Sequence, residues 1–125
     1  MKKGLTLLEL LITIIILGVL VSIAVPNYTR MVEKAKADQA ATYLRAIRTG
    51  EKIYYSNNAS YTACANAADI NLRLNAEVTE ESYIFTVTSD TANTFLATAQ
   101  RRADNTTVTL DQDGVWDGTS PYRPH

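Results

Sequence analysis

Gly4-Leu5-Thr6-Leu7-Leu8-Glu9-Leu10-Leu11 opens an apolar run that continues through Ile12 to Val25 and ends against Pro26. From Leu5 to Val25 the run carries one charge, Glu9. Coiled as a helix at about 1.5 Å per residue it is roughly 30 Å long, the thickness of a bilayer's hydrocarbon core. The stretch therefore predicts a membrane-crossing helix. Glu9 is the anomaly in it, because an ionisable side chain in that environment costs on the order of 3 kcal/mol and usually has a partner or a function. Either a cation is expected opposite Glu9, or the carboxylate sits at the interface near the helix start, where negative charge complements the helix dipole.

On the N-terminal side, Lys2 and Lys3 bias the start of the chain to the cytoplasmic face, which puts the C-terminal part across the membrane. On the other side, Gly18 and Pro26 interrupt the helical pattern, one by lowering propensity and one by removing a hydrogen bond. The segment between them is expected to bend or locally melt. Beyond Pro26, Tyr28, Met31, Val32, Ala35, Ala40, Tyr43, Leu44, Ile47 and Tyr54 recur at spacings of three, four and seven, the stripe of an amphipathic helix. Gly50 weakens its last turns and Asn57-Asn58 is a plausible stop.

At 125 residues the chain offers one small domain besides its anchor, and the core of that domain is marginal unless it leans on the amphipathic helix. The one cysteine, Cys64, has no partner for an internal disulfide and reads as a small semi-buried loop residue. The one histidine is the terminal His125, so the sequence offers neither a His/Cys metal cluster nor an internal histidine base, and no enzyme is expected. Charge is unevenly distributed. Tyr28 to Lys52 holds six basic residues against three acidic, a balance of +3, whereas Ile53 onward holds four arginines against nine acidic residues, a balance of −5. Such complementary surfaces can meet in a neighbouring copy, and neither half is basic enough to point to nucleic acid as a partner.

From Ala59 to Glu81 the sequence is irregular and reads as a connecting loop, with one helical turn at most around Ile70 to Leu74. Tyr83, Phe85 and Val87 then alternate with Ile84, Thr86 and Thr88, and strands follow at Thr94 to Ala99 and Thr106 to Leu110. Asp90 to Asn93 and Asp104-Asn105 supply turns, and Val115 and Trp116 close the sheet. The fold class is thus α+β: a long N-terminal helix, membrane-spanning in its first half and amphipathic in its second, packed against a small antiparallel sheet of three to four strands. The segments are 5–26 and 27–56 for the two helix halves, 57–81 for the loop and 82–125 for the β head. Asp111-Gln112-Asp113-Gly114 with Asp117 brings several carboxylates to a glycine turn, the start of a calcium loop, but no helix-flanked loop or closing glutamate follows. A hairpin turn is the simpler reading, with calcium through Asp111, Asp113 and Asp117 as its rival. No other cofactor is expected.

Lys2-Lys3-Gly4 followed by Leu5-Thr6-Leu7-Leu8-Glu9-Leu10-Leu11 resembles the prepilin signature of type IV pilins and of type II secretion pseudopilins, with leucine at position 5 where phenylalanine is usual. The resemblance covers the first thirty residues closely and the rest of the long helix loosely. It implies that residues 1–4 are a leader, that a prepilin peptidase cuts between Gly4 and Leu5, and that the new amine of Leu5 is methylated. It further implies that Glu9 pairs with the N-terminus of a neighbouring copy during assembly, and that Gly18 to Pro26 lends extensibility. The expected function is that of a filament subunit held in the inner membrane and then passed, by its assembly machinery, into a homo-oligomeric extracellular pilus or a periplasmic pseudopilus. The aspartate-rich tail leans towards the pseudopilus, and a C-terminal cysteine pair is absent. A removable signal peptide on a soluble exported domain is the rival of another class, since Lys2 and Lys3 give a positive start and Ser22-Ile23-Ala24 has a small-x-small cleavage pattern.

Overall fold

The computed structural model describes residues 4–125; Lys2 and Lys3, which carry the topology expectation, lie outside the described residues. The elements in chain order are α1 (Leu7–Asn58), α2 (Ala67–Leu74), β1 (Tyr83–Thr91), β2 (Thr94–Arg101), β3 (Thr107–Asp111) and β4 (Trp116–Asp117). Two compact units divide them, one ending at Ala35 and the other running from Lys36 to His125.

In the first unit α1 is helical through both Gly18 and Pro26, so the interruption expected between them is not a property of the chain alone. Each added residue of a growing helix supplies its own hydrogen bond, and one missing N–H inside a long helix is outweighed by the turns on either side. Its large apolar side chains from Leu5 to Val25 are all uncovered, between 47 and 85 % exposed. By length and composition α1 holds a stretch able to cross a membrane.

The second unit is an α+β head. Its sheet has the order β1-β2-β3-β4 and is antiparallel throughout. Alternation decides the register: Phe85 faces Ala99 and Val87 faces Ala97 across β1 and β2, while Ala97 faces Leu110 and Ala99 faces Val108 across β2 and β3. One face is consequently apolar and closed, with Tyr83, Phe85, Val87, Phe95, Val108 and Leu110 buried in it. Ala37, Ala40, Leu44 and Ile47 of α1 join the same core. Alanines on both partners, Ala97 and Ala99 on β2 and Ala37 and Ala40 on α1, are buried in this core, and Tyr43 meets Phe85 edge to face at 5.5 Å.

The connecting loop is more ordered than its composition implies. It contains the eight-residue α2, two turns where one at most was expected. Asn66 caps it by accepting from the Asp69 N–H at 2.9 Å, and Asn75, at φ 53°, ends it in the left-handed conformation that asparagine tolerates. Ile70 and Leu74 are its buried face. Gly50 makes this docking possible, because a Cβ there would lie 2.7 Å from the Leu74 carbonyl oxygen. The glycine that weakens the helix by propensity is a contact point by packing. The loop also lays Cys64 along the outer side of β1, where Cys64 and Val87 exchange two backbone hydrogen bonds of 2.9 Å.

Candidate functional site

Gly4 and Leu5 precede α1, and Leu5 is 80 % exposed. Glu9 lies in the first turn of the helix, four residues on. The Thr6 N–H donates to Glu9 Oε2 at 3.3 Å and the Glu9 N–H donates to Thr6 Oγ1 at 3.2 Å. This reciprocal pair is a capping box, in which a hydroxyl residue and the carboxylate three positions later satisfy two of the four N–H groups left open at a helix start. Glu9 thus has a local partner in the single chain. The spacing Thr6-x-x-Glu9 is itself the sequence signal for this arrangement, masked by the more conspicuous charge of Glu9 in an apolar run.

Gly18 and Pro26 lie inside α1, away from the capping box along the chain. Asp111, Asp113 and Asp117 stand at the β3–β4 connection, and each is engaged there. Asp111 Oδ1 accepts from the N–H groups of Asp113 and Val115, both at 2.9 Å, which is the bonding of a tight turn. Asp113 Oδ2 accepts from Gln112 Nε2 at 3.1 Å, and Asp117 Oδ1 from Arg123 Nη1 at 3.1 Å. Among the described residues no three acidic, histidine or cysteine side chains gather as a metal site.

The residue that sequence reasoning passes over is Glu51. It lies on the buried face of α1 together with Ala40, Leu44 and Ile47, at spacings of four, three and four, and it is 0 % exposed. Its Oε2 accepts from the Thr62 N–H at 2.9 Å, tying α1 to the loop, while Oε1 has no hydrogen-bond partner among the described residues. Burial pushes the Glu51 carboxyl up to about 7, with the Thr62 hydrogen bond pulling in the opposite direction. Cys64, nearby, is pushed up to about 11, first by burial and then by the negative charge of Glu51, so its thiol is inert rather than nucleophilic. The heptad-like spacing is the available signal for Glu51; its charge conceals it.

Residues 26–110 match the family described as "Type IV minor pilin ComP, DNA uptake sequence receptor", and residues 1–25 match the "Prokaryotic N-terminal methylation motif". The type IV major pilin protein PilA of Myxococcus xanthus is 38 % identical over 65 residues, 52 % of this chain and 30 % of that protein. The type IV wide pilus major component of Thermus thermophilus is 33 % identical over 93 residues, 74 % of this chain and 69 % of its own length. The type II secretion system core protein G of Dickeya chrysanthemi is 38 % identical over 60 residues, 48 % of this chain and 39 % of that protein. The chain thus spans about a third of the length of the first and third of these relatives and two thirds of the second.

Proposed function

The chain belongs to the type IV pilin family, and from that premise we propose that it is a structural subunit of a type IV pilus-like filament. It waits in the inner membrane on the first half of α1 and enters a homo-oligomer whose core is built from these helices. The observation that carries this reading is the uncovered apolar surface of Leu5 to Val25 joined in one chain to a head with its own closed core. Such a surface needs either lipid or other copies of itself, and a filament replaces the first by the second. The role is structural and calls for no catalytic centre.

In this reading a prepilin peptidase cuts between Gly4 and Leu5 and the Leu5 amine is methylated. The freed amine, with an ordinary pKa of about 7.7 to 8.0, stays largely protonated at neutral pH and is the cation that Glu9 of a neighbour accepts. An unpaired charge in an apolar core is costly, so the pair acts as a test of correct docking. Gly18 and Pro26 mark where the helix can yield once packed in the filament.

A second reading, a periplasmic pseudopilus subunit, is favoured by the likeness to the type II secretion core protein of Dickeya chrysanthemi. Sheared surface filaments containing the chain support the pilus, and a secretion defect on its deletion supports the pseudopilus. The matched family's description also names a receptor for DNA. With eight basic against eleven acidic residues from Lys36 to His125, a balance of −3, phosphate binding is not part of the reading proposed for this chain. Intact mass of the purified protein tests the whole proposal: a chain beginning at Leu5 and carrying one added methyl supports it, and one beginning at Val25 shows a secretory signal peptide instead.

A further inference from the structure

Arg45 and Arg48 stand three residues apart on α1 and flank a cleft of about 330 Å³ whose other walls include Leu110, Gly114 and Trp116. The Arg45 guanidinium lies 5.2 Å from the Trp116 ring centroid, which fixes the cation over an aromatic face. Arg48 is half-buried, donates from Nη2 to the Gln112 carbonyl at 3.3 Å, and has its enclosed Nε without a partner. Neither arginine has a carboxylate partner among the described residues. The nearby aspartates do not serve, since Asp111 and Asp113 are held by their own turn and Asp117 by Arg123.

The unpaired opposite charge lies across the sheet. Glu77 and Glu81 are exposed, with neither carboxylate holding a hydrogen bond or ion pair among the described residues, on the stretch that leads directly into β1. Glu80 between them is engaged, accepting from the N–H groups of Ala67 and Phe85 at 3.2 Å. β1 and β4 are the two outer strands of the sheet, so the Trp116 wall of the arginine cleft stands at one edge and the stretch that carries Glu77 and Glu81 runs into the strand at the other. Two different, complementary patches are what a contact needs if it is to propagate from copy to copy without closing on itself.

The geometry points to a carboxylate-binding cleft, formed by Arg45 and Arg48 beside Trp116, that receives the Glu77 and Glu81 side of a second copy of this chain. The planar guanidinium groups suit carboxylates, and the stacking on Trp116 holds one of them ready. This contact rests on the filament reading and gives it a head-to-head component that the apolar helices do not supply.

Charge exchange in the full-length chain tests it, because every subunit carries both sides. R45E/R48E and E77K/E81K, each alone, place like charges together and should lower sheared filament roughly tenfold, the equivalent of about 1.4 kcal/mol per contact. The fourfold variant restores opposite charges and should restore filament. In parallel, R45C with E81C in a C64S background should give a ladder of covalent multimers when wild-type-like filaments are oxidised. Filament from either half-exchange at the wild-type amount, or a fourfold variant no better than the halves although its head melts normally by circular dichroism, overturns the contact while leaving the filament reading intact. Absence of filament from the wild-type chain overturns both. Normal filament from R45E/R48E together with lost retention of a duplex oligonucleotide overturns the carboxylate in favour of phosphate.

Discussion

Glu51→Gln should flatten the pH dependence of the head's stability. The folded carboxyl titrates at about 7, against an ordinary value of 4.5, so the folded state holds its proton more tightly than the unfolded chain. For a group raised in this way the stabilising contribution is complete below pH 4.5 and is lost as the pH climbs through 7. The difference of some two and a half pH units converts, at about 1.36 kcal/mol each, to roughly 3 kcal/mol between acid and alkaline plateaus. Glutamine keeps an oxygen that can accept from the Thr62 N–H and removes the titration, so the variant should show almost none of this loss.

Trp116 is the only tryptophan in the chain and belongs to the head, so its fluorescence follows unfolding of that unit even when the full chain is held in detergent. Denaturant unfolding at pH 5 and pH 8.5, at constant salt, should give a wild-type stability falling by about 2.5 kcal/mol, most of the full difference, and a Glu51→Gln variant nearly level. At alkaline pH the variant should be the more stable of the two, since it carries no buried charge. Equal pH slopes in the two proteins would refute the assignment of a buried, unpaired carboxylate to position 51. A wild type that gained stability with pH would refute it more directly, by reversing the sign.

Gly50→Ala should destabilise the head by about 1 to 3 kcal/mol, because the new methyl meets the Leu74 carbonyl and one side must move; denaturant unfolding measures it, and an unchanged midpoint contradicts the contact. Calcium followed by a chelator should leave the melting temperature unchanged, since one carboxylate oxygen each of Asp111, Asp113 and Asp117 is held by a separate partner and the three do not gather as a metal site; a rise of several degrees reversed by the chelator would reinstate the site. Glu9→Gln should be cleaved normally and keep its helix start, because glutamine serves in a capping box as well as glutamate does, yet filament yield should collapse; wild-type yield from it would remove the charge from the mechanism. Glu9→Ala should lose both the cap and the filament.

The strands are legible in the sequence because period-two alternation is strong where one face is buried, and Tyr83, Phe85 and Val87 fall on the buried side as their spacing requires. The apolar opening of α1 is legible for the same kind of reason, length and composition being sufficient there. Three features are not. The sequence of α2 resembles loop because its helical signal lies in caps, Asn66 and Asn75, rather than in a long periodic stripe. Propensity, which acts on the helix alone, makes Gly50 a weak point, while its reason is tertiary contact with Leu74. Glu51 counts as a surface charge by residue type, although the spacing from Ile47 places it inside; pattern reasoning that filters for apolar residues cannot find a buried acid. At the site the motif letters of Thr6 and Glu9 are in plain view, but the reciprocal bonding between them depends on Thr6 ending just outside the helix, which only the structure fixes.

The capping box changes what assembly must do with Glu9. In the single chain the carboxylate is not bare, since the Thr6 N–H donates to it at 3.3 Å, and a hydrogen-bonded carboxylate at a helix start is less costly to hold near lipid than an isolated one. If a neighbouring amine then takes the carboxylate, the bond given up is one cap interaction of about 1 kcal/mol. Leaving a charge unpaired inside a packed apolar core costs roughly 3 to 5 kcal/mol, so the exchange of partners runs towards the neighbour once the helices are packed and away from it while they are dispersed in lipid. The same residue can therefore be tolerable in the dispersed subunit and decisive in the proposed filament, with the difference set by what surrounds α1 and by whether the Thr6 N–H or a neighbour's amine holds the carboxylate.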